Sequence, residues 1–198
     1  MTLQHSCLPR LFFLAILTPA TLTAAAITVA PAAQTVGNGS TFQASVVVSG
    51  LTAARVGDFD ITLTFNPSFL QVTAVTFGPF LGSPSSLQSS LLGGNQVEFA
   101  EVSLLASSDL LALQPATFTL ATITFQAIGV GTTAISFSAI IAGDQSGALL
   151  DLAPTDGSAT VSGVPEPSSL TLVGLGLLLA SGRYFCRTFE LPVRGPSA

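Results

Sequence analysis

Apolar and polar residues alternate along several short stretches of the chain between residues 41 and 161. The stretch 58–65 reads DFDITLTF, so its aromatic and aliphatic residues fall on one side of an extended chain and its Asp and Thr residues on the other. A two-residue period of this kind is typical of a half-buried β-strand. The same pattern predicts further strands at 41–48, 70–77, 96–102, 118–127, 132–137 and 159–161.

Turn-forming residues separate these stretches. They read GNG at 37–39, NP at 66–67, GGN at 93–95, GVG at 129–131 and GD at 143–144. Glycine supplies a positive φ and proline a fixed φ, which is what tight turns between strands need. No stretch between residues 27 and 163 keeps a helical period with caps, so many short strands and few helices predict an all-β sandwich or barrel.

Three features depart from this regular pattern. The apolar side of 118–127 switches between Leu120 and Ala121, which predicts a β-bulge or a strand that crosses between sheets. Glu101 has the register of the apolar Val97 and Phe99, which implies either a strand end or a buried acid, and because carboxylates are rarely buried we expect the strand end. The apolar loop 78–95 is expected to form a short helix over one end of the sandwich, with an exposed adhesive surface as the alternative.

Composition adds that the two ends of the chain are export or membrane segments. The chain is 48% hydrophobic and 8% charged, whereas about 25% charged residues is usual for a soluble domain. At the front, Arg10 precedes the apolar stretch LFFLAIL at 11–17, and three alanines follow at 24–26. This order is typical of a secretory signal peptide, so we expect residues 1–26 to be removed and the mature chain to begin near Ile27.

The back of the chain carries an uncharged apolar run at 168–182, followed by Arg183, Arg187 and Arg194. A helix over this run is about 22 Å long against a hydrocarbon core of about 30 Å, which predicts a short transmembrane helix. Its arginine flank predicts that the C-terminus stays in the cytoplasm while everything before Pro165 is exported.

The same tail resembles a known sorting signal. Pro165, Glu166 and Pro167 precede the leucine-rich run, and Arg183 and Arg187 form a basic flank after it. This three-part order resembles the PEP-CTERM signal of Gram-negative bacteria. The resemblance implies that segment 164–198 is recognised and cut by exosortase, a membrane protease. It also implies that the protein is anchored transiently in the inner membrane and then freed to the cell envelope or to extracellular polysaccharide.

The segment between the two ends, residues 27–163, is acidic and lacks most of the side chains that catalyse reactions or bind metals. It has Arg55 as its only base against eight acids, a formal charge of −7, and it contains no His, Lys, Cys, Trp or Tyr. This charge argues against nucleic-acid binding. The two cysteines, Cys7 and Cys186, lie outside the segment, so a disulfide framework is not expected in it.

Catalysis is not expected from these residues. Without His, Lys, Cys or Tyr the segment lacks the usual nucleophile and base. Only two pairs of acids lie close in sequence, Asp58 with Asp60 and Glu98 with Glu101, and a glycosidase needs two carboxyl groups across a bound sugar. We interpret both pairs as solvated acids on strands and predict no catalytic residue and no required cofactor.

Three acids near the end of the segment are candidates for calcium binding. Asp144, Asp151 and Asp156 supply the oxygen ligands that calcium prefers, but their spacing does not match a 12-residue calcium loop. The alternative is ordinary turn chemistry, in which an Asp side chain accepts hydrogen bonds from its own backbone.

The order of the strands in 27–163 carries a second resemblance. GDFDITLTFNP at 57–67 with LQV at 70–72, and LATITF at 120–125 ahead of GTTAI at 131–135, resemble a cohesin domain over nearly the whole segment. The resemblance implies a nine-stranded jelly-roll β-sandwich that binds dockerin modules, similar in fold to some carbohydrate-binding modules. We therefore expect an exported, non-enzymatic binding or scaffold module for a dockerin-like module or a polysaccharide. The alternatives are a carbohydrate-binding module and a structural matrix protein without a specific ligand.

Overall fold

Eleven β-strand segments form in the part of the chain described by this computed structural model, residues 24–163 and the single residue 177. They are β1 Ala26–Ala30, β2 Ala33–Gly37, β3 Thr41–Ser49, β4 Val56–Thr64, β5 Leu70–Phe77, β6 Ser86–Leu92, β7 Gln96–Ser103, β8 Phe118–Ala127, β9 Gly131–Asp144, β10 Ala153–Thr155 and β11 Gly157–Ser162. A 3₁₀ turn, Pro79–Leu81, and one α-helix, α1 Ser107–Leu113, lie between strands. The expected signal peptide, apart from residues 24–26, and the expected C-terminal helix, apart from residue 177, lie outside the described residues.

The strands form two sheets. Sheet A has the order β10-β1-β3-β8-β5, and sheet B has the order β2-β11-β9-β4-β7-β6. The predicted all-β sandwich is therefore confirmed. All seven strands expected from alternation are present, because their apolar sides face one shared core between the two sheets. The strand expected at 132–137 runs on to Asp144.

The first and last parts of the domain each divide between the sheets. β1 joins sheet A and β2 joins sheet B, and β10 and β11 divide in the same way. β1 pairs in parallel with β10, and β2 pairs in parallel with β11. If each divided pair is counted as one strand, the eleven segments of the described residues correspond to the nine strands that the cohesin resemblance implies.

Phenylalanine rings from both sheets fill the core. Phe125 of β8 stacks on Phe42 at 5.5 Å between ring centroids and meets the edge of Phe65 at 5.2 Å. Phe59 and Phe99 of sheet B meet at 6.0 Å in an edge-to-face arrangement. Such aromatic pairs add about 0.5–1.5 kcal/mol each beyond the burial of their area. Ten of the 14 Phe residues of the chain lie in segment 27–163, and all ten belong to this core or pack against it.

The predicted irregularity at residues 120 and 121 is a β-bulge. Val46 of β3 pairs with Ala121, whereas the next residue, Val47, pairs with Thr119, so Leu120 is the extra residue. Both Leu120 and Ala121 are buried. Because the bulge adds one residue, the positions of β8 that face the core shift by one residue at this point.

Two expectations from the sequence were wrong, and one short helix was not predicted. The loop 78–95 contains the 3₁₀ turn and strand β6 rather than a helix over one end. A helix, α1, does form, but its seven residues are too few to show a helical period. Glu101 does not lie at a strand end: β7 continues to Ser103, and the Glu101 side chain is fully buried.

Candidate interaction face

Four neighbouring strands of sheet B, in the order β6-β7-β4-β9, present a broad outer surface. Strand pairing sets their outward side chains in rows across the sheet. One row runs from Leu87 through Val102 and Asp58 to Gly143, and the next runs from Ser89 through Ala100 and Asp60 to Ile141. A third row runs from Leu91 through Glu98 and Thr62 to Ala139. We call this surface the outer face.

Four large apolar side chains on the outer face are exposed. Leu87 and Leu91 of β6 are 62% and 64% exposed, and Ile141 of β9 is 59% exposed. Val102 of β7 is also exposed and lies directly opposite Leu87. Single exposed apolar residues are ordinary, but four of them on one side of a four-stranded surface are typical of an interaction surface.

Three acids lie among these apolar side chains. Asp58 and Asp60 share the outer side of β4, as the alternation predicts, about 7 Å apart along the strand. Glu98 of β7 lies opposite Thr62 of the same row. The glycine at position 143 has a packing reason, since the Asp58 carboxylate occupies the space that a side chain at 143 would need.

No base balances these acids on the outer face within the described residues. Arg55 is the only base in residues 24–163. Its guanidinium group donates hydrogen bonds to the carbonyl oxygens of Thr52 and Ala54, at 3.0 and 2.9 Å, beside its own position in the chain. The outer face is therefore both apolar and acidic, which favours a partner that carries both apolar and basic side chains.

Glu101 lies on the core side of β7, directly beneath the outer face. Its Oε1 atom accepts hydrogen bonds from the Ser86 hydroxyl at 2.7 Å and from the Gln88 amide at 2.9 Å. Both donors belong to β6, so the buried carboxyl group links this edge strand to β7 on the core side of the sheet. The Oε2 atom is buried and has no hydrogen-bond partner among the described residues.

The two pairs of acids considered for catalysis are arranged differently. Glu98 points to the outer face and Glu101 points to the core, because residues three apart on a strand lie on opposite sides. That pair does not enclose a substrate between its carboxyl groups. Asp58 and Asp60 do share a surface, but the residues that surround them are Val102, Ala100 and Ile141 rather than a stacking platform for sugar.

The three calcium candidates engage backbone groups or solvent. The Oδ1 atom of Asp144 accepts hydrogen bonds from the Ser146 hydroxyl, the Ser146 N–H and the Ala148 N–H, at 2.7, 2.7 and 3.0 Å. These bonds, the Ser146 hydroxyl foremost, lower the pKa of Asp144 below its ordinary value of 3.8. Asp156 accepts a hydrogen bond from the Phe137 N–H at 3.0 Å, and Asp151 is exposed.

Within residues 24–163, no group of three or more His, Cys, Asp or Glu side chains is placed to hold a metal ion. Asp144 shows the turn chemistry that the sequence offered as the alternative. The calcium site stays a prediction.

The sorting residues fall elsewhere. Pro165, Glu166, Pro167, Arg183 and Arg187 lie outside the described residues. In the part that the structure describes, no helix has the length and apolar character needed to cross a membrane.

Sequence reasoning found part of the outer face and missed part of it. Alternation placed Asp58 and Asp60 on the outward side of their strand. Leu87 and Leu91 were noticed as apolar, but they were assigned to a loop because the strand β6 was not recognised. Ile141 was missed because β9 was expected to end at residue 137, although IIA at 140–142 continues the apolar signal.

Two known sequence families match this chain. The family model described as a cohesin domain matches residues 27–161. The model of the PEP-CTERM protein-sorting motif matches residues 163–187. Both resemblances stated from the residues are therefore confirmed. Among curated proteins, no sequence matches this chain.

Solved structures of cohesins have a similar fold. A non-cellulosomal cohesin from the archaeon Archaeoglobus fulgidus is 19% identical, with a TM-score of 0.57 over 75% of this chain and 97% of that one. A type I cohesin–dockerin complex from Clostridium thermocellum gives 11% identity and a TM-score of 0.61 over 71% of this chain and 100% of the other. The sixth cohesin of scaffoldin B from Acetivibrio cellulolyticus was solved with a Cel5 dockerin. It is 14% identical, with a TM-score of 0.57 over 71% of this chain and 100% of that one. At these identities the likeness concerns the fold alone.

Proposed function

Since the chain belongs to the cohesin-domain family, we propose that its exported domain is a non-enzymatic module that binds a protein partner on the outer face of sheet B. The observation that carries this proposal is the set of exposed apolar side chains at Leu87, Leu91, Val102 and Ile141, which three of the four paired strands, β6, β7 and β9, hold in register. A paired sheet is rigid, so a partner that docks on it finds these side chains already in place and little ordering free energy is lost.

The partner that fits this face is a small protein module of the dockerin kind. Two of the similar structures are complexes of a cohesin with a dockerin. Four strands of about eight residues offer a surface of roughly 19 Å by 25 Å, which suits a compact module. The acids Asp58, Asp60 and Glu98 lie on the two inner strands of the face and favour basic side chains on that module opposite them.

The tail indicates where the module acts. The PEP-CTERM motif at 163–187 indicates an exported protein that is processed at the cell envelope. We propose that the apolar run at 168–182 anchors the precursor in the inner membrane and that exosortase then cuts the chain near the Pro-Glu-Pro motif. The freed module then holds its partner at the cell surface or in secreted polysaccharide.

Binding by the outer face is tested with two matched double variants. In Leu87→Ser/Leu91→Ser the β6 edge of the face loses its apolar side chains, which costs about 2 kcal/mol, roughly 30-fold in Kd. The control Leu111→Ser/Leu113→Ser removes two exposed leucines of α1, which is not one of the four strands of the face. Surface plasmon resonance against a panel of dockerin modules, with a glycan array in parallel, measures both proteins and the unchanged chain.

We expect a dockerin module to bind the unchanged chain and the control, and to bind the face variant much more weakly. Equal weakening in both variants contradicts a docking role for the outer face. Binding to glycans alone supports the carbohydrate-binding alternative, and binding to neither class supports a structural matrix protein.

A further inference from the structure

One end of the sandwich gathers four turns and the last residue of β11. The Asn38 N–H donates to the Ser162 carbonyl oxygen at 2.9 Å, and the Gly39 N–H donates to Ala127 at 2.8 Å. The Ile128 N–H donates to the Phe69 carbonyl oxygen at 2.8 Å. These hydrogen bonds join three turns, 37–40, 65–69 and 128–131, into one surface. The turn 93–95 also belongs to this surface, because the Phe65 N–H donates to the Asn95 carbonyl oxygen. We call it the exit end, because the chain leaves the domain there after Ser162.

The exit end is free of charge in an otherwise acidic domain. Its four turns read GNGS, FNPSF, GGN and IGVG, and none of these residues is ionisable. Charged residues gather at the opposite end, around α1 and the turn after β9, and include Arg55, Asp109, Asp144 and Asp151. Because bacterial lipid surfaces are anionic, the acidic end is repelled by them and the uncharged end is not.

The turn between β8 and β9 exposes two large apolar side chains at the exit end. Ile128 is 46% exposed and Val130 is 59% exposed, on either side of Gly129. This tight turn leaves no room for a side chain at residue 129, which lies against the carbonyl oxygen of Ser68. Ile128 is also fixed by its backbone bond to Phe69. The two apolar side chains are therefore held outward on a rigid turn.

The tail determines which end of the domain lies nearest to the membrane. Only five residues, 163–167, separate Ser162 from the apolar run at 168–182. Fully extended, they and their flanking bonds span about 20 Å. The nine residues of β4 alone are about 30 Å long, so this tether is shorter than the sandwich. In the anchored precursor the opposite end of the domain could reach the bilayer only if the tether ran back along the side of the sandwich. The tether is too short for that.

From the tether, the charge distribution and the two apolar side chains we infer that the exit end rests on the lipid surface in the anchored precursor, with Ile128 and Val130 in contact with the headgroup region. This inference rests on the proposed membrane anchoring by the tail. It leaves the outer face of sheet B, whose strands run from the exit end to the far end, pointing sideways and open to a partner before the chain is cut.

The test uses the full chain with Cys7→Ser and Cys186→Ser, reconstituted in phosphatidylcholine vesicles that contain a lipid with a nitroxide on its headgroup. A fluorophore is attached through Ser68→Cys at the exit end or through Ser108→Cys on α1 at the opposite end. Both positions are exposed. We expect strong quenching at residue 68 and little at residue 108. The variant Ile128→Ser/Val130→Ser lowers the ratio of lipid-contacting to free orientations at residue 68 by about tenfold, whereas the control Leu111→Ser/Leu149→Ser does not change it.

The outcomes separate this inference from the anchoring on which it rests. If the chain does not float with the vesicles, anchoring fails and the inference fails with it. If the chain floats but both labels are quenched equally, the anchoring stands and the orientation is overturned. If quenching at residue 68 is unaffected by the Ile128→Ser/Val130→Ser change, lipid contact by these side chains is overturned.

Discussion

At the scale of single residues, Gln114 supports the fold through its side-chain amide. Its Oε1 atom accepts the Val56 N–H at 2.8 Å, and its Nε2 atom donates to the carbonyl oxygens of Val56 and Phe80 at 2.7 and 3.1 Å. The amide is buried, and it pairs with the backbone of Val56 as a neighbouring strand residue does. It therefore ties the end of α1 to the start of β4 and to the 3₁₀ turn.

We expect Gln114→Ala to lower the free energy of unfolding by about 2–4 kcal/mol, because the N–H and C=O groups of Val56 lose their bonds in a buried place. Urea denaturation measures the change. Gln71→Ala, at an exposed position of β5, is the matched control and is expected to change stability by less than about 0.5 kcal/mol. A Gln114→Ala protein as stable as this control contradicts the role given to the amide.

The role of Gln114 could not be predicted from the sequence, and for Glu101 the register offered burial only as the less favoured of two alternatives. Polar residues are usually exposed, and the exceptions depend on partners that tertiary structure supplies. For Glu101 those partners are Ser86 and Gln88, which lie on a strand that the alternation did not reveal. The outward side of Asp58 and Asp60 was predictable because it follows from strand period alone.

At the scale of elements, β6 is the least protected strand of the outer face. It is the edge of sheet B, and its side chains are mostly exposed. Among the described residues, its backbone pairs only with β7. On the core side of the sheet, the Glu101 carboxyl group accepts hydrogen bonds from its Ser86 and Gln88 side chains. The stability of this edge therefore controls whether Leu87 and Leu91 are presented to a partner.

We expect the double variant Ser86→Ala/Gln88→Ala to loosen β6, because it leaves a buried carboxyl group without hydrogen bonds. The expected loss of stability is about 2–4 kcal/mol. Hydrogen exchange is expected to accelerate selectively at the amides of β6. Ser89→Ala/Ser90→Ala, on the same strand but away from Glu101, serves as the control, and equal exchange in the two variants contradicts the fastening role of Glu101.

The elements that were predicted and those that were missed differ in length and position. The seven strands found from sequence are those with several apolar residues in alternation, and the predicted bulge at Leu120 follows from the same signal. β1, β2 and β10 have three to five residues each, so they offer too few alternations to be detected. β6 reads SLQSSLL, in which two adjacent leucines break the period.

At the scale of the whole molecule, the two ends of the chain are expected to be removed after export. Intact mass spectrometry of the secreted protein is expected to show the loss of about 26 residues at the front and about 30 at the back. A matched variant with Pro165→Ala, Glu166→Ala and Pro167→Ala is expected to keep its tail, because the motif that the protease reads is gone. A secreted protein of full C-terminal length in the unchanged chain contradicts processing at this site.

The pairing of the first strands with the last ones has a consequence for how the protein reaches its destination. β2 pairs with β11, so Ala33 lies beside Ser158, which is 125 residues later in the sequence. β1 pairs with β10 in the same way. Contacts so distant in sequence form slowly. Sheet A is complete only after β10 has been synthesised and sheet B only after β11, so we expect the polypeptide to pass through a narrow translocation channel unfolded and to fold on the other side.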